Sequence, residues 1–152
     1  MIYLDTSSLL KLLLPEPESR DVALAVDAEK KVAVSALTEL ETRVQLRAHW
    51  LGGDLTKRQY EQTLVRFDAL CDQDPFSRMP LSGAVFERAQ MQLLRAGKKH
   101  CRSLDRLHLG AMEELAIARL MTNDRVLSAA AVQLGFVVVT PGQPLSLAAA
   151  RR

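Results

Sequence analysis

Four carboxylates in this chain stand where they could hold a hard metal ion. Asp5 ends the apolar run Ile2-Tyr3-Leu4, Asp105 and Asp124 open two later helical stretches, and Glu41 falls within the apolar stripe of another. A lone charge in such a stripe is costly unless something compensates it. A site built from carboxylates and water suits Mg²⁺, with Mn²⁺ as the alternative, rather than Zn²⁺, whose sites usually include His or Cys. An ion of that kind binds phosphate oxygens, activates a water and stabilises the leaving oxygen of an in-line displacement. Asp5 and Asp105 are the first-choice direct ligands. Glu41 and Asp124 bind a second ion, act through water or orient the nucleophile, and the residues alone do not separate these roles.

Each acid also has an ordinary explanation. Asp5 and Asp124 can cap helices that begin just after them, and Asp105 can complement a helix dipole from its first turn. Taken singly, these explanations are favoured. Jointly they are weakened, because acids at the C-terminal ends of strands in an open parallel sheet point into the crevice where ligands bind. Glu41 discriminates best. Stepping about 100° per residue from Leu37 puts Glu41, Val44 and Ala48 on one stripe and Glu39 on the opposite face; a surface-edge glutamate paired with an arginine is the alternative. In Ser103-Leu104-Asp105-Arg106-Leu107-His108-Leu109, Leu104, Leu107, Ala111 and Leu115 form the apolar stripe, with Asp105 at its edge. His108 lies on that stripe without a second histidine at metal spacing, so it reads as a hydrogen-bonded core residue with a structural role.

The elements that must position these acids alternate between β-rich apolar runs and longer helical patterns, which predicts an α/β fold with a parallel sheet covered on both faces. Strands are predicted near residues 2–4, 32–34, 78–81, 118–122 and 136–139. Helices are predicted near 7–14, 18–29, 37–50, 57–73, 83–97, 104–117 and 125–134, with Pro15 and Pro17 separating the first two. Thr56 and Gln59 form a capping box, and Gly52 and Gly53 form the hinge before it.

Composition sets the frame. With 152 residues, 48% hydrophobic and 25% charged, the chain reads as one globular domain over residues 1–140 with an extension at 141–152. No apolar stretch reaches the roughly 20 residues of a membrane span, and no secretion signal is evident, so a cytoplasmic location is the default expectation. Cys71 and Cys101 lie outside any CxxC or Cys/His cluster and read as bystanders. A net charge of +2 does not by itself indicate nucleic-acid binding. Arg43, Arg47, Lys57, Arg58, Lys98, Lys99 and Arg102 are candidates to offset phosphate repulsion, although a solvated surface is favoured for each one taken separately. Trp50 and Tyr60 could stack on bases, with packing in the fold favoured.

The residues Asp5-Thr6-Ser7, Ser35-Ala36-Leu37-Thr38-Glu39-Leu40-Glu41, Leu104-Asp105-Arg106-Leu107-His108-Leu109 and Thr122-Asn123-Asp124-Arg125 occur in this order and spacing across nearly the whole chain. In this the sequence resembles the PIN-domain ribonucleases, and within them the VapC toxins of bacterial type II toxin-antitoxin systems. The resemblance implies a three-layer α/β/α sandwich around a mainly parallel sheet of about five strands. It also implies an Mg²⁺-dependent endoribonuclease whose acids are Asp5, Glu41, Asp105 and Asp124, supported by Ser7, Thr122 and Asn123. RNA as substrate comes from the resemblance; the acids alone would equally suit DNA or another phosphodiester. The partners implied are a cognate VapB-like antitoxin and a second copy of the chain, with Leu9, Leu10, Leu12 and Leu13 as candidate contacts or, equally, as core. Gly110 replaces the usual alanine, a helix-weakening departure that leaves the site unaffected. Two alternatives stand beside this reading. One is a catalytically silent RNA-binding PIN-like module, against which the four retained acids argue. The other is an Mg²⁺-binding phosphoacceptor signalling domain, whose expected early acidic pair is missing.

Overall fold

The computed structural model describes residues 1–95 and 100–142. Five strands, β1 (Ile2–Leu4), β2 (Val32–Ser35), β3 (Phe76–Met79), β4 (Arg119–Met121) and β5 (Val137–Val139), form one sheet in the order β3-β2-β1-β4-β5. Every neighbouring pair is parallel. The helices are α1 (Thr6–Leu13), α2 (Ser19–Asp27), α3 (Ala36–Gly52), α4 (Lys57–Cys71), α5 (Ala84–Arg95), α6 (Ser103–Glu114) and α7 (Arg125–Gln133). None of the described helices is long and apolar enough to cross a membrane.

The alternation of side chains along each strand divides the core into two layers. Ile2, Leu4, Val32, Val34 and Met121 meet Leu9 and Leu13 of α1, Val22 and Val26 of α2, Leu46 of α3 and Phe67 of α4. Tyr3, Ala33 and Leu120 point the other way, toward Val85 of α5, Leu109 and Met112 of α6, and Leu127, Ala130 and Ala131 of α7. The result is the expected α/β/α sandwich. The inner strands β1 and β2 are buried at every residue because both faces are covered, and each fully buried aliphatic side chain contributes about 1.5–3 kcal/mol relative to exposure.

Local chemistry sets the element ends. Thr56 and Gln59 make the reciprocal capping box at the start of α4. Gly53, at φ 89°, ends α3 in the left-handed conformation that the hinge requires. Gly110 is more than a tolerated departure: a Cβ there would lie 2.7 Å from the Val85 carbonyl oxygen and 3.1 Å from the Ala89 nitrogen. Its missing side chain lets α6 approach the backbone of α5.

Two expectations need correction, and one choice left open is decided. The third strand begins two residues earlier than predicted and stops at Met79, before Pro80, which has no N–H to donate to a ladder. The buried stripe of α3 is Thr38, Thr42 and Leu46, whereas Val44 is exposed and Ala48 is too, so Glu41 stands at the edge of the inner face. Leu9 and Leu13 are core residues and Leu10 and Leu12 pack against the same core, so they do not form a free contact surface. The predicted tail falls mainly on residues 143–152, and Lys98 and Lys99 likewise lie outside the described residues.

Candidate active site

Strand order locates the site. The chain leaves β1 toward β2 on one side, while β4 pairs with β1 on the other, so the C-terminal ends of β1 and β4 flank a topological switch point. Leu4 pairs with Met121, which sets Asp5 beside Thr122. The Asp5 amide donates to the Met121 carbonyl at 3.2 Å.

Asp5 is the N-cap of α1 and accepts from the Ser8 amide at 3.0 Å. Ser7 Oγ donates to its two oxygens at 2.8 and 3.0 Å, and Thr122 Oγ1 donates at 2.7 Å. Only 3% of the residue is exposed. Burial raises its carboxyl pKa, and the hydrogen bonds from Thr122, Ser8 and Ser7, with His108 nearby, pull against that rise. All of its direct partners are neutral. The polar residues that the sequence offered as support hold this end of the sheet together. The Asn123 amide donates to Ser7 Oγ at 3.1 Å, and Asn123 Oδ1 accepts from Ser8 Oγ at 3.2 Å. The Asp124 amide donates to Thr122 Oγ1 at 3.0 Å.

Glu41 reaches the same end from α3. Its Oε2 accepts from Thr6 Oγ1 at 2.7 Å and lies 2.5 Å from His108 Nε2. Burial pushes its pKa up, but His108, Thr6 and the charge of Arg102 more than reverse this and hold it below the usual glutamate value. His108 Nδ1 lies 2.8 Å from the Tyr3 hydroxyl, which is 2.6 Å from Ser35 Oγ. When Glu41 is ionised it can only accept, so the Nε2 proton points to it. In the neutral ring Nδ1 then accepts from Tyr3. His108 is thus the buried hydrogen-bonded residue that the sequence indicates, and its partner is one of the candidate acids.

Asp105 and Asp124 arrive through helix starts. Asp105 accepts from the Arg102 amide at 2.9 Å, and Asp124 caps α7 through the Val126 and Leu127 amides at 2.7 and 3.0 Å. The Arg102 guanidinium spans the two, 3.6 Å from Asp105 and 3.8 Å from Asp124. The ordinary helix-capping explanations therefore hold for these acids, and the caps are what deliver them to one end of the sheet. Among the described residues, no three His, Cys, Asp or Glu side chains converge closely enough to hold a metal ion as they stand. The donor chemistry nonetheless fits a hard cation: the acids offer only oxygen, and Asp5 is a buried carboxylate without a cationic partner.

Several other expectations are decided by the same geometry. Of the basic candidates, Arg43 pairs with Asp68 at 2.5 Å and Lys57 with Glu61 at 3.7 Å, while Arg102 reaches the acids. Trp50 and Tyr60 stack on each other with ring centroids 5.1 Å apart, in accord with their packing role. Cys71 and Cys101 are buried free thiols whose pKa burial pushes up, to about 11 for Cys71, as suits bystanders. Sequence reasoning missed Thr6 and Tyr3. A phenol in an otherwise apolar strand was the available signal, because a buried hydroxyl needs a partner.

Comparison with known proteins agrees with this architecture. The PIN domain family model matches residues 2–133. Ribonuclease VapC47 of Mycobacterium tuberculosis (strain CDC 1551 / Oshkosh) is 30% identical over 144 residues, covering 93% of this chain and 98% of the relative. Among solved structures, the Mycobacterium tuberculosis toxin VapC20, described as cleaving the sarcin-ricin loop, superposes with a TM-score of 0.70 at 20% identity, covering 93% of this chain and all of the other (100%). A toxin-antitoxin complex from Klebsiella pneumoniae gives a TM-score of 0.64 at 19% identity, covering 95% of this chain and 100% of that chain. At these identities the two structures speak to the fold alone.

Proposed function

Because this chain belongs to the PIN domain family, we propose that it is a metal-dependent endoribonuclease and the toxin component of a type II toxin-antitoxin system. One observation carries the reading furthest: Asp5 is buried at the switch point among neutral donors, with the Glu41, Asp105 and Asp124 groups gathered at the same end of the sheet. The acids fit a divalent ion, Mg²⁺ ahead of Mn²⁺, with Asp5 and Asp105 as direct ligands and Glu41 and Asp124 acting directly or through water. When bound, such an ion supplies charge neutralisation and water activation for in-line attack on a phosphodiester.

The protein groups have separate tasks. Ser7, Thr122 and the Ser8 amide fix both oxygens of Asp5, so it enters the reaction already oriented. Thr6 and His108 keep Glu41 ionised at the edge of the site. Arg102 offsets the negative charge that would otherwise repel a phosphate. A VapB-like antitoxin is the proposed partner, and the exposed apolar residues Leu40, Val44 and Leu51 along α3 suit the apolar face of a short partner helix.

The purified protein should cut selected RNAs in Mg²⁺ or Mn²⁺, and Asp5→Asn or Asp105→Asn should abolish turnover with the circular dichroism spectrum unchanged. Sequencing RNA ends after brief induction, with Asp5→Asn as control, reads activity and target together. Undiminished cleavage by both variants would refute the assignment.

A further inference from the structure

Beside the acidic site, α5 and the start of α6 enclose a cleft of about 630 Å³ lined in part by Phe86, Leu93, His100, Arg102, Ser103 and Arg106. Among the described residues its lining contains two guanidinium groups, an imidazole and a hydroxyl, and no carboxylate. Arg106 is the unusual member. It follows Asp105 directly, is only 7% exposed, and its Nη1 has no hydrogen-bond acceptor among the described residues. Buried arginines are ordinarily paired, because taking a charge out of water without compensation is expensive. Among the described ion pairs Arg106 has none, whereas Arg102 next to it bridges Asp105 and Asp124. The cleft thus joins the acidic site through Arg102 and holds a positive charge that has no counterion among the described residues.

We propose that this cleft is a subsite for the RNA strand, with Arg106 and Arg102 holding a backbone phosphate next to the scissile one. The proposal rests on the nuclease reading above for the identity of the ligand. A phosphodiester supplies the missing negative charge, and guanidinium groups suit phosphate oxygens. Phe86 and Leu93, both largely exposed at the cleft wall, offer an apolar surface on which an unpaired base can rest. A single strand fits this combination better than a duplex, whose bases are already stacked. The acids then face the phosphate to be cut while the cleft fixes the register of the neighbouring nucleotide.

Binding of fluorescent single-stranded RNA to the full chain, measured by anisotropy in EDTA over a range of salt concentrations, separates the subsite from the chemistry. Arg106→Gln and Arg102→Gln should each weaken binding about tenfold, and each should lower the magnitude of the log affinity against log salt slope by about 0.7, the loss of one phosphate contact on a single strand. Arg106→Lys should keep the slope. Phe86→Ala should weaken binding with the slope unchanged. Arg102 is 79% exposed in its side chain, so its variant tests the idea even if Arg106→Gln does not fold. Unaltered affinity and slope in Arg102→Gln and in folded Arg106→Gln would overturn the proposal. So would competition by inorganic phosphate with RNA binding unaffected by the variants, or a change of oligomeric mass as the sole effect, which would make the cleft an interface between copies. If the parent chain cuts no RNA in Mg²⁺ or Mn²⁺, or if Asp5→Asn and Asp105→Asn both cut it undiminished, the nuclease reading fails independently of these binding results.

Discussion

Asp5 is retained at a cost to folding. Burial lifts its carboxyl pKa above the ordinary value, so the folded chain favours the protonated acid relative to the unfolded chain. The stability conferred by that form is fully present below the ordinary carboxylate range, about pH 4, and is lost as pH rises through the raised value. Asp5→Asn is neutral throughout. Its Oδ1 can still accept from the Ser8 amide, and the hydroxyls of Ser7 and Thr122 can turn to accept from its NH₂ group. In chelator at neutral pH, Asp5→Asn should therefore unfold at a higher temperature than the parent, with the gap closing in acid. A parent more stable than the variant at pH 7 would contradict this account. The Glu41–His108 contact makes a different residue-scale demand. At 2.5 Å with one partner buried, a charge-assisted hydrogen bond of this kind should give a coupling of roughly 1–3 kcal/mol in a double-mutant cycle of His108→Leu and Glu41→Gln followed by urea unfolding. Additive effects would mean that the two side chains do not act together.

Elements show how much the sequence can disclose. The helix-start positions of Asp5, Asp105 and Asp124, the parallel α/β order and the capping box at Thr56 and Gln59 were legible because each follows from a local rule: a strand that ends in an acid, or a cap and its third residue. The phase of α3 was not legible, because its inner face carries Thr38 and Thr42 while Leu40 and Val44 face outward. Thr38 turns inward to donate to the Leu4 carbonyl at 3.2 Å, a long-range contact that periodicity does not encode. The stripe assigned to Glu41 was therefore wrong, and as an edge residue it reaches Thr6 and His108 all the same. The packing role of Gly110 was not legible for a related reason: helix propensity registers the missing methyl group but not the α5 backbone against it. Gly110→Ala should gain up to about 1 kcal/mol of helix propensity and lose about 1–3 kcal/mol through overpacking against Val85 and Ala89. The expected result is a lower urea midpoint. A midpoint equal to or above that of the parent would show that α5 and α6 are not in such close contact.

At the scale of the whole molecule, the fold and the site use the same residues for opposed purposes. Asp5 and Asp124 cap α1 and α7, and Asp105 caps the first turn of α6, so each stabilises a helix start. Brought to one end of the sheet with Glu41, they also concentrate negative charge that Arg102 offsets most directly at Asp105 and Asp124, which its guanidinium reaches. A divalent cation would relieve the remainder and stabilise the folded chain by mass action, by about 2.7 kcal/mol when its concentration is a hundred times Kd. Titrating Mg²⁺ or Mn²⁺ into metal-free protein should thus raise the thermal midpoint in a saturable manner, and the rise should shrink sharply in Asp5→Asn and in Asp105→Asn. The same titration of Lys57→Ala, a surface change remote in sequence from all four acids, should match the parent. Because the measurement needs no RNA, it isolates the metal from the substrate. Equal shifts in the parent and both acid variants would place any bound ion elsewhere and leave the carboxylates with their capping roles alone.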